Sequence, residues 1–213
     1  MRHVLLLLAL LAPLSAQPDR FGLPACSGQG QELAHKHAFI VCHSAAFKAP
    51  LWAAYELTPA RLLSPASTRR TYFRRDHSLS MPGASVADYR QTGFSRGHLV
   101  PARDMAFDEQ AIRDSFLLSN AIPQDAVMNR SSWRRLENWV RKLAVDADSV
   151  IVITGAIFAG NPDRIGAGRV AVPSDLYKVI LVCQSGPFTV DGRDHAERRY
   201  RGPLAGILHR SAG

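Results

Sequence analysis

Three cysteines in 213 residues are too few for a disulfide scaffold, and none stands at the short spacing of a structural zinc site. An odd count leaves at least one thiol without a partner in the chain. Cys26 and Cys42 are close in sequence and either bridge, tying an N-terminal arm to the first strand, or stay reduced; Cys183 ends an apolar run and reads as a buried thiol. Beyond the N terminus no apolar run is long enough to cross a membrane. There is no internal repeat and no sign of a second domain, and the length suits one domain with its own core. Acidic residues are also short. With 26 Lys and Arg against 18 Asp and Glu the formal charge is +8 at pH 7, which suits a polyanionic partner because phosphate neutralisation releases counterions. Charge alone establishes nothing, since many basic proteins bind no nucleic acid.

What is present begins with residues 1–16, which hold one arginine, an apolar run, a proline and then Leu14-Ser15-Ala16 before Gln17. That order predicts a secretory signal peptide cleaved near Ala16, and so a secreted or periplasmic protein. Losing Arg2 with it would take the formal charge from +8 to +7. Residues 17–37 read as an N-terminal arm, 38–183 as the folded domain and 184–213 as an atypical or truncated tail, in which apolar alternation stops after Val190. Such an ending predicts an exposed sheet edge.

Within the domain, 38–43 and 51–57 read as strands joined by a turn containing Lys48-Ala49-Pro50, with Trp52 and Tyr55 packed in the core. Residues 58–85 are rich in Pro, Ser and Arg and read as a loop. Its cluster Arg69, Arg70, Arg74 and Arg75 is either a solvated surface or a wall of a substrate groove. A short helix is expected over 108–115 and a buried strand over 116–119. Further strands are expected over 149–157 and, as a pair around Pro173, over 169–172 and 176–183. His35, His37 and His43 are spread over an arm and a strand, and are expected at the surface.

The chemistry concentrates between residues 89 and 141. His98 has an ordinary pKa near neutrality and can take a proton from water. Arg96 offers a planar fork of donors that matches phosphate oxygens, and in an extended segment it shares a face with His98. Gly97 between them leaves room for a backbone to approach. Trp133, Leu136, Val140 and Leu143 recur at helical spacing and predict a packed helix over 128–144, with Glu137 and Arg141 one turn apart on its edge. Asn129 falls at the first turn, where a short polar side chain caps well, and its amide oxygen is also a legitimate ligand for a hard cation. Asp104 reads as a turn or capping residue, or as an acid near the site. Base, phosphate-binding cations and a metal ligand together suit phosphodiester cleavage.

The run Ser95-Arg96-Gly97-His98-Leu99-Val100-Pro101-Ala102, followed by Leu118-Ser119-Asn120, Pro123-Gln124, Asn129, Trp133, Leu136-Glu137 and Arg141, resembles the DNA/RNA non-specific endonucleases, a group that includes endonuclease G. The resemblance implies an α+β fold in which a mixed or largely antiparallel central sheet carries a ββα-metal, or His-Me finger, site. It implies a hydrolase acting on DNA and RNA through the phosphate backbone and leaving 5′-phosphate ends. Mg²⁺, with Mn²⁺ as a substitute, would be the cofactor. By the same resemblance His98 is the general base, Asn129 the direct metal ligand, Glu137 the helical carboxylate, Arg96 and Arg141 the phosphate-contacting arginines and Asn120 the site asparagine. A homodimer is compatible with the sequence but not specified by it. Ser95 departs from the Asp that most members carry. A nucleic-acid-binding module without turnover, or an exported scaffold whose basic surface meets another polyanion, therefore stays open beside the active nuclease.

Overall fold

The segment SVIVITGAI is dense in β-branched residues, which fit a pleated surface better than a helix, and it forms a nine-residue strand in the middle of the domain. A computed structural model describes residues 22–64 and 71–183 together with the backbone of Leu204–Arg210. The segment 1–16, Arg69, Arg70 and most of the tail lie outside the described residues.

Six strands form the main sheet: β1 (Gln31–His35), β2 (Phe39–Ser44), β3 (Ala49–Leu57), β6 (Ser149–Ile157), β9 (Asp175–Cys183) and β10 (Leu204–Arg210). They stand in the order β1-β2-β3-β6-β9-β10, and every pairing is antiparallel. The smaller strands are β4 (Phe94–His98) paired with β5 (Ala121–Asp125), and β7 (Arg164–Ile165) paired with β8 (Val170–Ala171). The helices are α1 (Pro59–Leu63), α2 (Glu109–Ser115), α3 (Ala126–Met128) and α4 (Arg134–Asp146). Among the described residues no helix is long and apolar enough to cross a membrane.

Strand alternation divides the core. Phe39, Val41, Ala53, Tyr55, Val150, Val152 and Ile180 belong to the large cluster, which also takes in Trp133, Val140, Leu143 and Ala144 of the long helix. Ile40, Cys42, Trp52 and Ala54 form a smaller cluster with Leu23 and Cys26. There the Trp52 indole donates to the Ala25 carbonyl at 3.3 Å, and a Cys26–Cys42 disulfide with Cα atoms 5.8 Å apart pins the arm to the sheet. Closing a loop of 16 residues is worth about 3 kcal/mol in the chain-entropy account.

Several expectations change. β1 lies inside the segment read as an arm. Residues 116–119 are no strand: Leu118–Asn120 is a 3-10 turn and the strand follows it, because the buried amide of Asn120 turns the chain by bonding neighbouring backbone. The pair around Pro173 does not form either. β8 pairs with β7 while β9 pairs with β6, since a proline between them has no N–H for a ladder. Thr58 caps α1, accepting from the Arg61 N–H at 3.3 Å, inside what reads as loop. His43 is not at the surface but fully buried, whereas His35 and His37 are exposed. Cys183 is only half-buried. Leu204–Arg210 pairs with β9 and covers the edge that the tail seemed to leave open.

Candidate active site

The turn before β4 needs a left-handed backbone, which Gly93 supplies at φ 82°. β4 then pairs with β5 so that Ser95 opposes Gln124 and His98 opposes Ala121. The helix starts as soon as β5 ends. Asp125 is its cap, accepting from the Met128 N–H at 2.7 Å, so Asn129 is not the cap and lies one turn inside. From Asn129 to Trp133 the chain makes a π-turn before α4 begins. A π-turn inserts one residue, so the eight steps from Asn129 to Glu137 sweep about 700° and bring the two within roughly 20° of each other around the axis. A straight helix would leave them about 80° apart.

His98 ends β4 between two aromatic rings. Its imidazole lies 4.7 Å from Phe73 and 4.9 Å from Phe116, which meets it edge-on, and the two phenyl rings are 5.2 Å apart. Phe73 reaches this place because the Arg74 N–H donates to the Phe116 carbonyl at 3.0 Å and the Leu118 N–H to the Arg74 carbonyl at 2.9 Å. The rings displace water. The Nε2 of His98 is buried with no hydrogen-bond partner among the described residues, and desolvation pulls the pKa down to about 4, so the ring is neutral at neutral pH.

Arg96 shares the face of His98 as expected, its guanidinium 5.3 Å from the centre of the Phe73 ring. Gly97 points the other way. What approaches it is a side chain and not a backbone: any Cβ there would collide with the Oε1 of Gln124. Ser95, Arg96 and Asn129 line one cavity of about 430 Å³, walled by Phe73 and Phe94.

A second polar cluster lies behind. Asp104, 1 % exposed, accepts from the Tyr55 hydroxyl at 2.8 Å and from the Nη1 of Arg141 at 2.6 Å. Nη2 of Arg141 donates to Asn138 at 2.7 Å. Arg141 is thus not the open phosphate contact expected of it: it is 8 % exposed and its fork is taken up by Asp104 and Asn138. Of the two readings of Asp104, a turn or capping residue or an acid near the site, the structure favours the second: it is the buried counterion that makes an arginine tolerable there.

Asn120 is likewise committed. Its Oδ1 accepts from the Val100 N–H at 2.9 Å, and its Nδ2 donates to the carbonyls of Val100 and Ser115 at 3.0 and 2.8 Å. It holds the backbone that leaves His98 and keeps no polar atom for a substrate. Glu137 is half-buried; burial and Asp104 push its pKa up, against Lys178 and Arg141.

Lys178 is a charged neighbour of this cluster that the sequence reading did not place at the site. It is fully buried on β9, donates to the Thr154 hydroxyl at 2.6 Å and the Leu99 carbonyl at 3.4 Å, and lies 4.8 Å from the Trp133 ring centre. Desolvation lowers its pKa to about 8, and Glu137 and Asp104 oppose that shift. A signal was present: Leu176, Lys178 and Ile180 share one register, so a lysine stands where the strand pattern demands an apolar residue. Phe73 had no such signal, being one aromatic in an irregular segment.

Among the described residues no group of three His, Cys, Asp or Glu could hold a metal ion. The donor set still fits Mg²⁺, which prefers oxygen and keeps most of its waters: the amide of Asn129 faces a roomy cavity beside Arg96.

Compared with known proteins, residues 18–197 match the model of the DNA/RNA non-specific endonucleases. The chain belongs to this family. It is 32 % identical to human mitochondrial endonuclease G over 178 residues, 78 % of this chain and 59 % of that protein. To the mitochondrial nuclease EXOG of Danio rerio it is 36 % identical over 173 residues, 76 % of this chain and 50 % of the relative. It therefore spans about half to three-fifths of the length of these non-specific endonuclease relatives. A chain in the crystal structure of the EndoG/EndoGI complex superposes with a TM-score of 0.72 at 26 % identity, covering 78 % of this chain and 72 % of that one. The expected α+β class with a largely antiparallel sheet is borne out. The expected secreted or periplasmic location is not, because these family relatives are mitochondrial nucleases, which points away from export.

Proposed function

We propose that this chain is a Mg²⁺-dependent nuclease that hydrolyses phosphodiester bonds of DNA and RNA and leaves 5′-phosphate ends. The observation that carries the reading is the meeting of β4 with the π-turn. Arg96 and Asn129 line one cavity there, and the neutral His98 shares the ring of Phe73 with Arg96.

Each residue has a task that its surroundings favour. A neutral imidazole can accept a proton without first losing one, and among the described residues the Nε2 of His98 has no partner to compete for it. An unpaired buried ring nitrogen costs about 1–3 kcal/mol, a strain that an arriving water relieves. His98 removes the proton as the water oxygen bonds to phosphorus; the bond from phosphorus to the 3′ oxygen breaks, and that oxygen is protonated from solvent. Arg96 binds and neutralises the phosphate oxygens. Asn129 would hold Mg²⁺, with Glu137 on the same helix face to orient its water shell. When bound, the ion supplies positive charge at the phosphate. Arg141 and Asn120 act as positioning residues, the first through Asp104 and the second through the Val100 backbone. Because these groups address backbone and no base edge, weak sequence selectivity follows.

The test is cleavage of supercoiled plasmid and of a structured RNA, with Mg²⁺ and with EDTA, beside His98→Ala. Metal-dependent cutting that vanishes in the variant supports the enzyme and its base together. Salt-sensitive binding with no cutting by a folded sample would sink the nuclease and leave a binding module.

A further inference from the structure

We infer that the flank of α4 facing α1 is a second nucleic-acid site, holding phosphates some nucleotides away from the scissile bond. The inference rests on the nuclease reading and adds a subsite for the same substrate. A groove of about 970 Å³ lies between α1 and α4 beside the turn Ala102–Met105. Among the described residues its charged lining is Arg61, Arg103, Arg135, Arg141 and Lys142, with no Asp or Glu. It shares no lining residue with the cavity of Arg96 and Asn129.

One of the cations is preset: Arg61 donates to the Glu56 carbonyl at 2.8 Å with its guanidinium 4.8 Å from the Phe107 ring centre, whereas Arg141 is already spent on Asp104 and Asn138 and is not counted as a phosphate contact. A guanidinium already fixed loses little freedom on binding an anion. Arg135 and Lys142 are seven residues apart, which puts them on one flank of the helix, about 9 and 20 Å along its axis from Asn129. That reach exceeds one phosphate and suits a chain of them. Trp139, packed on the core at its inner side, lines the same groove and offers a ring on which a base can stack. Carboxylates would meet the cations but not use the indole, so a nucleic acid fits better than an acidic polypeptide.

The test uses the full chain in EDTA and a fluorescein-labelled single-stranded oligonucleotide of about 24 nucleotides, longer than one compact binding site. Affinity is read against salt for the wild type, for Arg103→Gln/Arg135→Gln, and for Arg113→Gln/Arg169→Gln, which removes two charges away from the groove. The groove pair should weaken binding on the order of tenfold and reduce the slope of log K against log salt by roughly 1.4, about 0.7 for each lost contact. Equal losses in both pairs would mean that net charge alone matters and would overturn the site. Unchanged binding by the groove pair, with circular dichroism matching wild type, would also overturn it. So would loss of poly-glutamate binding alone, which would assign the groove to an acidic protein. Plasmid cleavage by the same wild-type sample separates the two readings: no cutting with groove-dependent binding removes the enzyme and keeps the site, and cutting with groove-independent binding does the reverse.

Discussion

Arg141 donates to Asp104 across 2.6 Å with both side chains buried, and the Tyr55 hydroxyl completes the acid's bonding from the sheet at 2.8 Å. The pair ties the turn after His98 to α4 and the core strand β3. Removing one member leaves the other as an uncompensated buried charge, which costs about 3–5 kcal/mol. Asp104→Ala should therefore lower Tm on the order of 10 °C in a domain of this size, while Asp104→Leu/Arg141→Met should recover most of the loss. Thermal unfolding followed by circular dichroism decides it; a single variant melting with the wild type would show that the pair carries no stability.

The Phe73 ring keeps water from His98. Phe73→Ala should let water in and move the imidazole pKa up from about 4 toward the ordinary value of 6.5. The acid limb of the cleavage rate should then shift to higher pH, because more of the histidine is protonated and unable to act as a base at a given acidity. Histidine proton resonances titrated by NMR read the shift directly. An unmoved pKa would show that Phe73 is not the desolvating wall.

Lys178 is the leading charge that opposes burial at Glu137. Lys178→Met keeps the volume and removes that charge, so the Glu137 pKa should rise further and the acid limb of cleavage should move to higher pH. Glu137→Gln should abolish the displacement. If Lys178→Met lowers activity by the same factor at every pH, the lysine supports structure only.

His43 is buried with both ring nitrogens unpartnered among the described residues, and desolvation lowers its pKa to about 4. Between about 4 and 6.5 the unfolded chain binds a proton that the folded chain refuses, so stability rises with pH through this window and falls on acidification, by roughly 3 kcal/mol at the limit. His98 adds to it with the same sign. Asp76, held down to about 2 despite burial by bonds from Lys36, Ser119 and Ser78, extends the loss below the ordinary carboxylate range. Urea unfolding of His43→Leu should give a flatter stability curve between pH 6.5 and 4 than wild type. An unchanged slope would show that His43 does not carry the linkage.

Local chemistry decided a good deal in advance. Alternation and β-branching made 149–157 a strand, and β6 has those bounds. The 3.6-residue stripe of Trp133, Val140 and Leu143 buried those residues in the helix core. Arg96 and His98 shared a face because a strand has a period of two. These features need only neighbours in sequence, which is why they were legible. The run from Ser95 to Ala102 and the blocks from Leu118 to Arg141 also resembled the family to which the chain belongs.

The rest depended on contacts between distant segments. Whether Arg141 met phosphate or Asp104 turned on the burial of the loop after His98. The low pKa of His98 came from Phe73 and Phe116, which share no local pattern with it. Even the Asn129–Glu137 alignment needed the π-turn, because an ideal helix would have turned them apart. The sequence by itself determined which residues could do the chemistry, since identity sets pKa, charge and donor type. Tertiary structure alone decided which of them stay open to a substrate and which are spent holding the site, because burial and partners are properties of the packed chain.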